Sequence, residues 1–423
     1  MTSRHDGAVV VALAAVAHFS FAWETPAVVW PDSVRYANLA YDLTRRFRTA
    51  DWDLFTTPGY PIFLWWCRHW IAPADGVAWV QQGLAICACW LIWLAVRRTS
   101  GRRPALAAGI VVALSPFRHY YAQSLLTECV AECALVAGVG LAVPADVAST
   151  QWRLVTRAAS GAVLGLATLV RANLAVAAAV LWLLPLGQSA TRRAWFAGVS
   201  LSGLGWLVVV APWLGFNLQR GVDGLAGSSG YLFNEYANFH RVGGTVVLPP
   251  ELTPETDREL QHRARQRVRD NLGQYLRAVA KTAKVFLFPF PLRGDVAPAI
   301  PECLPPPRVD SLAGFSFHQS PSRRTIRWWI HRGLSSAYQV LITLSWIGLG
   351  AWGIRAAIQG RWDAALIAAA AFVGVAALSL MLLVSTRYAF PYDTLALGFG
   401  IPGGWSVAAE VGKRARARRR DLR

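Results

Sequence analysis

Residues 30–40 of the chain read Trp30-Pro31-Asp32-Ser33-Val34-Arg35-Tyr36-Ala37-Asn38-Leu39-Ala40. They follow closely on the first long apolar run, Gly7 to Trp23. Because a run of about 20 apolar residues crosses the hydrocarbon core of a bilayer, this stretch should lie where the chain leaves the membrane. Asp32 would then sit at the membrane surface, within reach of a substrate whose apolar part stays in the bilayer and whose polar part stays in water.

The composition is that of a membrane protein. Of the 423 residues, 54% are hydrophobic and only 16% are charged, and 20 are tryptophan. The first run lacks a small-residue cleavage site, so we expect it to be retained as a span. We count about ten spans, several of which are short or abut each other, and the predicted fold is therefore an all-α polytopic membrane protein. The spans lie near residues 7–23, 77–96, 104–117, 121–143, 156–171, 172–187, 194–214, 336–354, 363–384 and 389–411.

The net charge of +18 would indicate nucleic-acid binding in a soluble chain, but the positions of the arginines give a different explanation. Basic clusters follow every second apolar run, and all of them fall on one side of the membrane if the N-terminus is cytoplasmic. The positive-inside rule requires this arrangement. We therefore expect cytoplasmic termini, a basic tail that anchors to the membrane, and no nucleic-acid partner. The clusters are Arg97, Arg98, Arg102 and Arg103; Arg153 and Arg157; Arg192 and Arg193; Arg355 and Arg361; and Lys413 to Arg423.

Two long connections fall on the opposite, extracytoplasmic side. The first contains Ser33–Arg48, whose apolar positions have helical spacing, as expected of a helix lying along the interface. The second is polar and rich in proline, includes an interfacial-looking stretch at Lys281–Pro291, and is predicted to be a large loop rather than a domain. The chain thus divides into an N-terminal transmembrane module (1–214, with its first loop at 24–76), the large loop (215–335), and C-terminal spans with a cytoplasmic tail (336–423).

The six cysteines predict neither a disulfide framework nor a metal site. Cys87-x-Cys89 and Cys129-x-x-x-Cys133 do not have zinc-ligand spacing, and a cysteine within an apolar run behaves as a small apolar residue. The histidines of the large loop also lack ligand spacing. No protein-ligated metal centre is predicted from these residue types.

Four charged residues near the extracytoplasmic ends of predicted spans form the candidate site: Asp32, Glu128, Arg171 and Arg387. A charge within a span costs about 2.5–3.5 kcal/mol on insertion scales and is a functional candidate by default. Arginine binds phosphate oxygens through a bidentate fork, and a carboxylate can take a proton from an attacking hydroxyl. The set therefore suits a reaction on a phosphorylated lipid.

The two acidic positions also have structural interpretations. Asp32 and Ser33 can simply cap the helix that follows them, because both residue types accept from free backbone N–H groups. Glu128 and Glu132 lie one helical turn apart, so one of them can serve only to neutralise an arginine. Glu132, the deeper of the two, is the more structural candidate.

The remaining candidates have structural interpretations too. Arg171 can extend to the interface, and Arg387 with Tyr388 can act as an interface anchor. His119 and Tyr120 suit an aromatic belt as well as a substrate pocket.

Four sequence landmarks span residues 31–391. They are Pro31-Asp32-Ser33-x-x-Tyr36-x-x-x-Ala40 with Thr57-Pro58-Gly59-Tyr60-Pro61; Leu126-Thr127-Glu128; Ala211-Pro212-Trp213 with Asn217 and Gly230-Tyr231-Leu232-Phe233-Asn234-Glu235; and Arg387-Tyr388-x-x-Pro391. In this order they resemble the GT-C superfamily of polytopic glycosyltransferases, particularly the bacterial branch similar to protein O-mannosyltransferases and the lipid A aminoarabinose transferase.

The resemblance implies a sugar donor linked to a polyprenyl phosphate, transfer on the extracytoplasmic face of a bacterial inner membrane, and inversion at the anomeric carbon. The acceptor would be a lipid, glycan or protein hydroxyl. Asp32 matches the family's first-loop aspartate, a base or acceptor-orienting group, and Glu128 matches its second acidic position. Arg387 matches the late arginine, for which donor-phosphate binding is expected.

Further assignments complete the candidate site. Arg171 and Tyr388 are assigned with Arg387 to the donor phosphate, Arg171 more by its charge than by any motif. Tyr60, His119 and Tyr120 are assigned to the substrate pocket. Some relatives are thought to use a divalent cation, which would lie near Asp32 and Glu128.

The chain departs from the family pattern at two places. The family commonly has an arginine before the asparagine that follows Pro-Trp, whereas here Phe216 precedes Asn217. No large soluble domain is expected after the last span, so acceptor recognition is left to the large loop.

The competing interpretation is a transporter or flippase for a lipid-linked or anionic substrate. It explains the arginines and the spans, but not acidic and basic groups gathered at one surface instead of the midplane.

Overall fold

The computed structural model describes residues 4–71, 74–143, 149–184, 191–226, 253–287, 326–380 and 390–404. Within these ranges the chain is helical, and its single β-bridge joins Val28 to Ser124. The predicted all-α class is confirmed. The helices are α1 (Arg4–Glu24), α2 (Pro31–Tyr41), α3 (Leu43–Thr49), α4 (Gly59–Trp70), α5 (Ala74–Ser100), α6 (Arg102–Ala113), α7 (Pro116–Gln123), α8 (Thr127–Ala142), α9 (Thr150–Val170), α10 (Leu174–Trp182), α11 (Arg192–Gln219), α12 (Pro254–Asp270), α13 (Leu272–Leu287), α14 (Ile326–Ile358), α15 (Trp362–Leu380) and α16 (Phe390–Leu395), which continues into a π-helical stretch, Ala396–Gly400.

Five of the described helices are long and apolar enough to cross a membrane: α1, α5, α9, α11 and α14. Other predicted spans coincide with shorter helices. The predicted span at 104–117 is wrong in its extent, because α6 ends at Ala113 and Pro116 begins α7. Proline fits the first turn of a helix but interrupts a helix interior, since it lacks an N–H group.

Helices α9 and α11 approach each other closely because glycine faces the partner backbone on both sides. A Cβ at Gly161 would collide with the backbone of Ser202, and a Cβ at Gly205 would collide with the backbone of Ala158. Small residues at helix crossings are the usual means of packing helices in membranes, where close van der Waals contact drives association. This contact holds α9, the helix that leads into Arg171, against α11.

Contacts between helix ends define two ends of the bundle. At one end, which we call the basic end, Arg102 of α6 binds Asp6 at the start of α1, with Nε 2.5 Å from Oδ2. At the same end Arg361, just before α15, donates to the Thr99 carbonyl at 2.7 Å. These arginines belong to the clusters that the sequence analysis placed on one side of the membrane.

The opposite end, which we call the site end, holds the first connection. The Ala27 N–H donates to Asp75 Oδ1 at 2.7 Å, which joins the end of α1 to the start of α5. The Leu125 N–H donates to the Val28 carbonyl at 2.9 Å, which brings the start of α8 to the same place. Asp32 and Glu128 therefore lie at one end of the bundle, as predicted.

The first connection folds into three helices, α2, α3 and α4, so the predicted helix over Ser33–Arg48 is confirmed, with a break at Asp42. The short run at Ile62–Trp66 lies inside α4. The second connection contains two helices, α12 and α13. Arg258 of α12 lies 3.6 Å from Asp223, which follows α11, and this ion pair attaches α12 to the site end.

Candidate functional site

The N-cap residue of α2 is Trp30, not Asp32. The helix begins at Pro31, and the Trp30 N–H donates to Ser33 Oγ at 2.9 Å. Ser33 thus provides the reciprocal hydrogen bond of a capping box. Asp32 Oδ1 instead lies 3.1 Å from Arg35 Nη2, and 23% of the Asp32 side chain is exposed. The carboxylate is accessible, negatively charged at a helix N-terminus that favours such charge, and oriented by a cation.

Asp53 lies on the far side of the same arginine. Its Oδ2 is 3.9 Å from Arg35 Nε, while its Oδ1 accepts from the backbone N–H groups of Phe55 and Thr56 at 2.9 and 2.7 Å. Asp53 therefore organises the turn before Gly59 and connects that turn to Arg35. The arrangement places one guanidinium between two partly exposed carboxylates.

Glu128 and Arg171 form a buried ion pair between α8 and the residue after α9. Glu128 Oε1 lies 3.1 Å from Arg171 Nη1, and the two side chains are only 2% and 7% exposed. Thr127 Oγ1 donates to the other carboxylate oxygen at 3.2 Å. Glu128 therefore does pair with an arginine, as its structural interpretation requires. That arginine, Arg171, is itself a predicted site residue.

Tyr36 lies where these groups meet. Burial raises the pKa of its phenol from 10.0 to about 12; the carboxylates of Asp32 and Glu128 add to the increase, and the guanidinium groups of Arg35 and Arg171 oppose it. All four charges are therefore close enough to act on one hydroxyl. The structure brings Asp32, Glu128 and Arg171 together around Tyr36.

Tyr60 lies beneath Tyr36. Their ring centroids are 5.2 Å apart in an edge arrangement, and Tyr60 is fully buried. Its hydroxyl donates to Gln81 Oε1 at 2.9 Å, and Gln81 Nε2 donates to the Ser124 carbonyl at 2.6 Å. Tyr60 therefore supports the floor of the site through a hydrogen-bond chain to α5 and the α7–α8 connection.

The turn between α9 and α10 contributes Asn173. This residue occupies the N-cap position of α10, yet its side chain makes no capping hydrogen bond. Its buried Nδ2 has no hydrogen-bond partner among the described residues. Its carbonyl accepts from the Tyr392 hydroxyl at 3.3 Å, which places the start of α16 beside Arg171.

His119 and Tyr120 are placed differently. The His119 ring packs edge-on against His18, with centroids 4.4 Å apart, and its Nε2 lies 3.0 Å from the Ala113 carbonyl. Tyr120 packs edge-on against Tyr121, at 5.6 Å. Both residues are buried, and these contacts lie among α1, α6 and α7 rather than with Asp32. Their assignment to the substrate pocket stays a prediction.

Glu132 is the structural member of the acidic pair on α8. It forms a fully buried ion pair with Arg118 of α7. Its Oε1 also accepts from Thr394 Oγ1 at 2.5 Å. The pair joins α7, α8 and α16 inside the bundle.

Arg387 and Tyr388 lie outside the described residues, so their predicted roles in donor-phosphate binding stay predictions. The described residues show no evident set of ligands for the expected divalent cation near Asp32 and Glu128. Each carboxylate is paired with a guanidinium, and the described ranges contain no group of three or more His, Cys, Asp or Glu side chains that could hold a metal ion. We therefore derive no step through a metal.

The predicted site did not include Arg35, Tyr36 or Asn173. Arg35 and Tyr36 follow Asp32 by three and four residues, which is the spacing of neighbours on one helical face, so the signal was present. Arg220 was also missed. It lies one turn after Phe216, with its guanidinium 5.3 Å from the centre of that ring.

No family model and no curated protein sequence matches the chain. Among solved structures, two crystal structures of ArnT from Cupriavidus metallidurans match, one in the apo state and one bound to undecaprenyl phosphate. Both are 15% identical to this chain, with TM-scores of 0.39 and 0.40, and cover 93% of this chain and 77% and 78% of the ArnT chain. At this identity and TM-score the matches assign no residue role and no substrate.

Proposed function

We propose that this protein is an integral membrane glycosyltransferase of GT-C type that moves a sugar from a polyprenyl-phosphate donor to an acceptor hydroxyl on the extracytoplasmic face. One observation carries the proposal. An accessible carboxylate, Asp32, and a buried ion pair, Glu128–Arg171, lie near Tyr36 at the site end of the bundle, opposite the basic end.

The accessible carboxylate suits the acceptor. The acceptor oxygen would attack the anomeric carbon while the bond from that carbon to the phosphate oxygen breaks. Asp32 would orient the acceptor hydroxyl and receive its proton. A carboxylate is a weak base, so proton transfer would accompany attack rather than precede it. Attack from the side opposite the phosphate would invert the anomeric centre.

The cations suit the leaving group. The departing polyprenyl phosphate takes the electron pair of the broken bond, so negative charge develops on it in the transition state. Preorganised cations stabilise such charge most effectively where water is excluded. Arg171 is held in a buried position by Glu128, and we propose that it and Arg387 contact the phosphate. Tyr388 would support Arg387, and Tyr60 would shape the pocket beneath the sugar.

The first test measures binding without needing to know the sugar, because every donor of this class leaves a polyprenyl phosphate. Undecaprenyl phosphate should raise the melting temperature of the detergent-solubilised protein, and Arg387→Ala should abolish the increase. Arg103→Ala is the matched control, since Arg103 is an exposed arginine at the basic end. No stabilisation of a folded wild-type protein would contradict the proposal and favour transport of another substrate.

A second test separates catalysis from transport. Asp32→Asn should lower turnover by about 10²–10⁴-fold, the range for a general base, while undecaprenyl phosphate still binds. Asp42→Asn is the matched control, because Asp42 pairs with Arg45 at 2.8 Å with the same three-residue spacing. Near-normal turnover in Asp32→Asn would remove Asp32 from this role. Translocation of a lipid-linked substrate without sugar transfer would instead identify a flippase.

A further inference from the structure

Helix α13 (Leu272–Leu287) has a cationic face. It contains three basic residues, Arg277, Lys281 and Lys284, and no acidic residue. All three side chains are exposed. Spacings of four and three residues place them on one side of a helix. Across the described ranges none of the three takes part in an ion pair.

The neighbouring helix α12 differs in this respect. It also carries many arginines, but it contains acidic residues as well, and Arg263 pairs with Glu259 on the same surface. Arg258 pairs with Asp223 beyond the helix. The positive charge of α12 is therefore partly compensated within the protein, whereas that of α13 is not.

The rest of α13 presents two apolar sectors. Ala278 and Thr282 are buried, on the side where the helix contacts α14 and α15. Leu272 and Leu276 are 53% and 54% exposed, and Ala280, one turn further, is exposed too. At 100° per residue these three positions lie between the packed side and the cationic face. Around its circumference α13 thus presents a packed side, an exposed apolar flank and a cationic face.

This arrangement of three faces around its circumference suits a helix that lies in the interface of a bilayer. In such helices the apolar flank enters the boundary of the acyl chains, while lysine and arginine extend to the headgroups. An anionic leaflet attracts cations placed next to its surface. Because α13 packs on α15 and also on α14, which is long and apolar enough to cross a membrane, its outer surface lies beside a membrane-spanning helix.

We propose that α13 docks on the headgroup layer of the bilayer and that Arg277, Lys281 and Lys284 bind the phosphates of anionic phospholipids there. Leu272 and Leu276 fix the depth of the helix in that layer. The proposal rests on the cationic face and the exposed leucines, and it stands whether or not the protein transfers sugars.

Hydrogen exchange of the full chain in nanodiscs tests the proposal. Amides of residues 272–284 should exchange at least about fivefold more slowly in discs that contain phosphatidylglycerol than in discs of phosphatidylcholine alone, as attraction of three cations to an anionic surface implies. The triple variant Arg277→Gln, Lys281→Gln, Lys284→Gln should lose this difference. Equal exchange of the wild type in the two lipids would overturn the proposal.

A matched variant controls for overall charge. Arg263→Gln, Arg265→Gln, Arg269→Gln removes three cations from the exposed surface of α12 and should keep the lipid-dependent protection of α13. Loss of protection in this variant as well would overturn the proposal, because it would indicate an effect of net charge. Leu276→Gln tests the apolar flank: exchange should accelerate in both lipids, with their ratio retained. Protection by a soluble polyphosphate but not by phosphatidylglycerol would also overturn it and indicate an acidic partner.

Discussion

Glu128 Oε1 lies 3.1 Å from Arg171 Nη1 in surroundings that leave both side chains almost without exposure. Removing one partner of such a pair leaves a buried charge uncompensated, which commonly destabilises a protein by about 3–5 kcal/mol. The pair therefore contributes to the fold as well as to the proposed chemistry.

We predict that Glu128→Gln lowers the melting temperature of the purified protein markedly, and that adding Arg171→Met recovers part of the loss because no unpaired charge remains. Melting temperatures of the wild type, the two single variants and the double variant give the coupling between the residues. Glu259→Gln is the control, since Glu259 pairs with Arg263 on an exposed surface where the effect should stay within about 0.5 kcal/mol. Additive effects of the two site substitutions would contradict the predicted coupling.

Tyr36 gives a prediction at alkaline pH. Burial raises the pKa of its phenol from 10.0 to about 12, so the folded protein retains the proton to a higher pH than the unfolded chain does. A raised pKa of this kind adds stability that is complete below pH 10 and is lost as the pH rises through 12. The loss in the free energy of unfolding over this pH range is at most about 2–3 kcal/mol.

The measurement is the melting temperature between pH 9 and pH 12. The wild type should lose stability over this interval more steeply than Tyr36→Phe, which has no phenolic proton to lose. Tyr41→Phe should follow the wild type, because Tyr41 lies on the same helix and is 52% exposed. Parallel curves for the wild type and Tyr36→Phe would show that the phenol is not held in its neutral form by the fold.

The sequence predicted where Asp32 and Glu128 lie in the fold, because the landmarks that place them are local. Asp32 follows an apolar run, Glu128 opens a helix, and alternating basic clusters indicate which ends of the helices lie together. The ion pairs could not be predicted from the sequence, because no local pattern connects Arg118 to Glu132 or Arg171 to Glu128. Those contacts depend on how separate helices pack.

Helix α12 was missed for a different reason. The prediction for this region rested on apolar runs, and α12 has none. Its signals are polar: Thr253 caps the helix, Pro254 occupies its first position, and arginines lie in its last turn. These are ordinary helix start and stop signals, so α12 was predictable, whereas the packing of α13 on α15 was not.

Asn173 gives a prediction about ligand binding. Asparagine is among the best N-cap residues, yet its side chain does not cap α10, and its buried Nδ2 has no partner among the described residues. An unused buried donor costs about 1–3 kcal/mol, so a ligand oxygen near Arg171 would relieve that cost. We predict that Asn173→Asp, which replaces the donor with an acceptor, abolishes stabilisation by undecaprenyl phosphate.

The control for Asn173→Asp is Asn38→Asp, an exposed residue on α2 whose substitution should leave the ligand-induced increase in melting temperature unchanged. Asn173→Ala should reduce the increase less than Asn173→Asp, because it removes the donor without adding negative charge. Full stabilisation of Asn173→Asp by the ligand would show that Nδ2 does not face the phosphate.

Gly59 gives a prediction about the position of Tyr60. A Cβ at Gly59 would lie 2.6 Å from both the Leu169 carbonyl carbon and the Val170 nitrogen, and these backbone atoms at the end of α9 cannot move without moving Arg171. Gly59→Ala should therefore displace α4 from α9, lower stability by about 1–3 kcal/mol as overpacking does, and reduce turnover.

Gly83→Ala is the matched control, because a Cβ there meets nothing within 4 Å and alanine favours a helix interior. Its stability should be unchanged or higher by up to about 1 kcal/mol. If both alanine variants melt like the wild type, then α4 does not rest on α9 as closely as the structure has it, and the floor of the site beneath Tyr36 is not set by that contact.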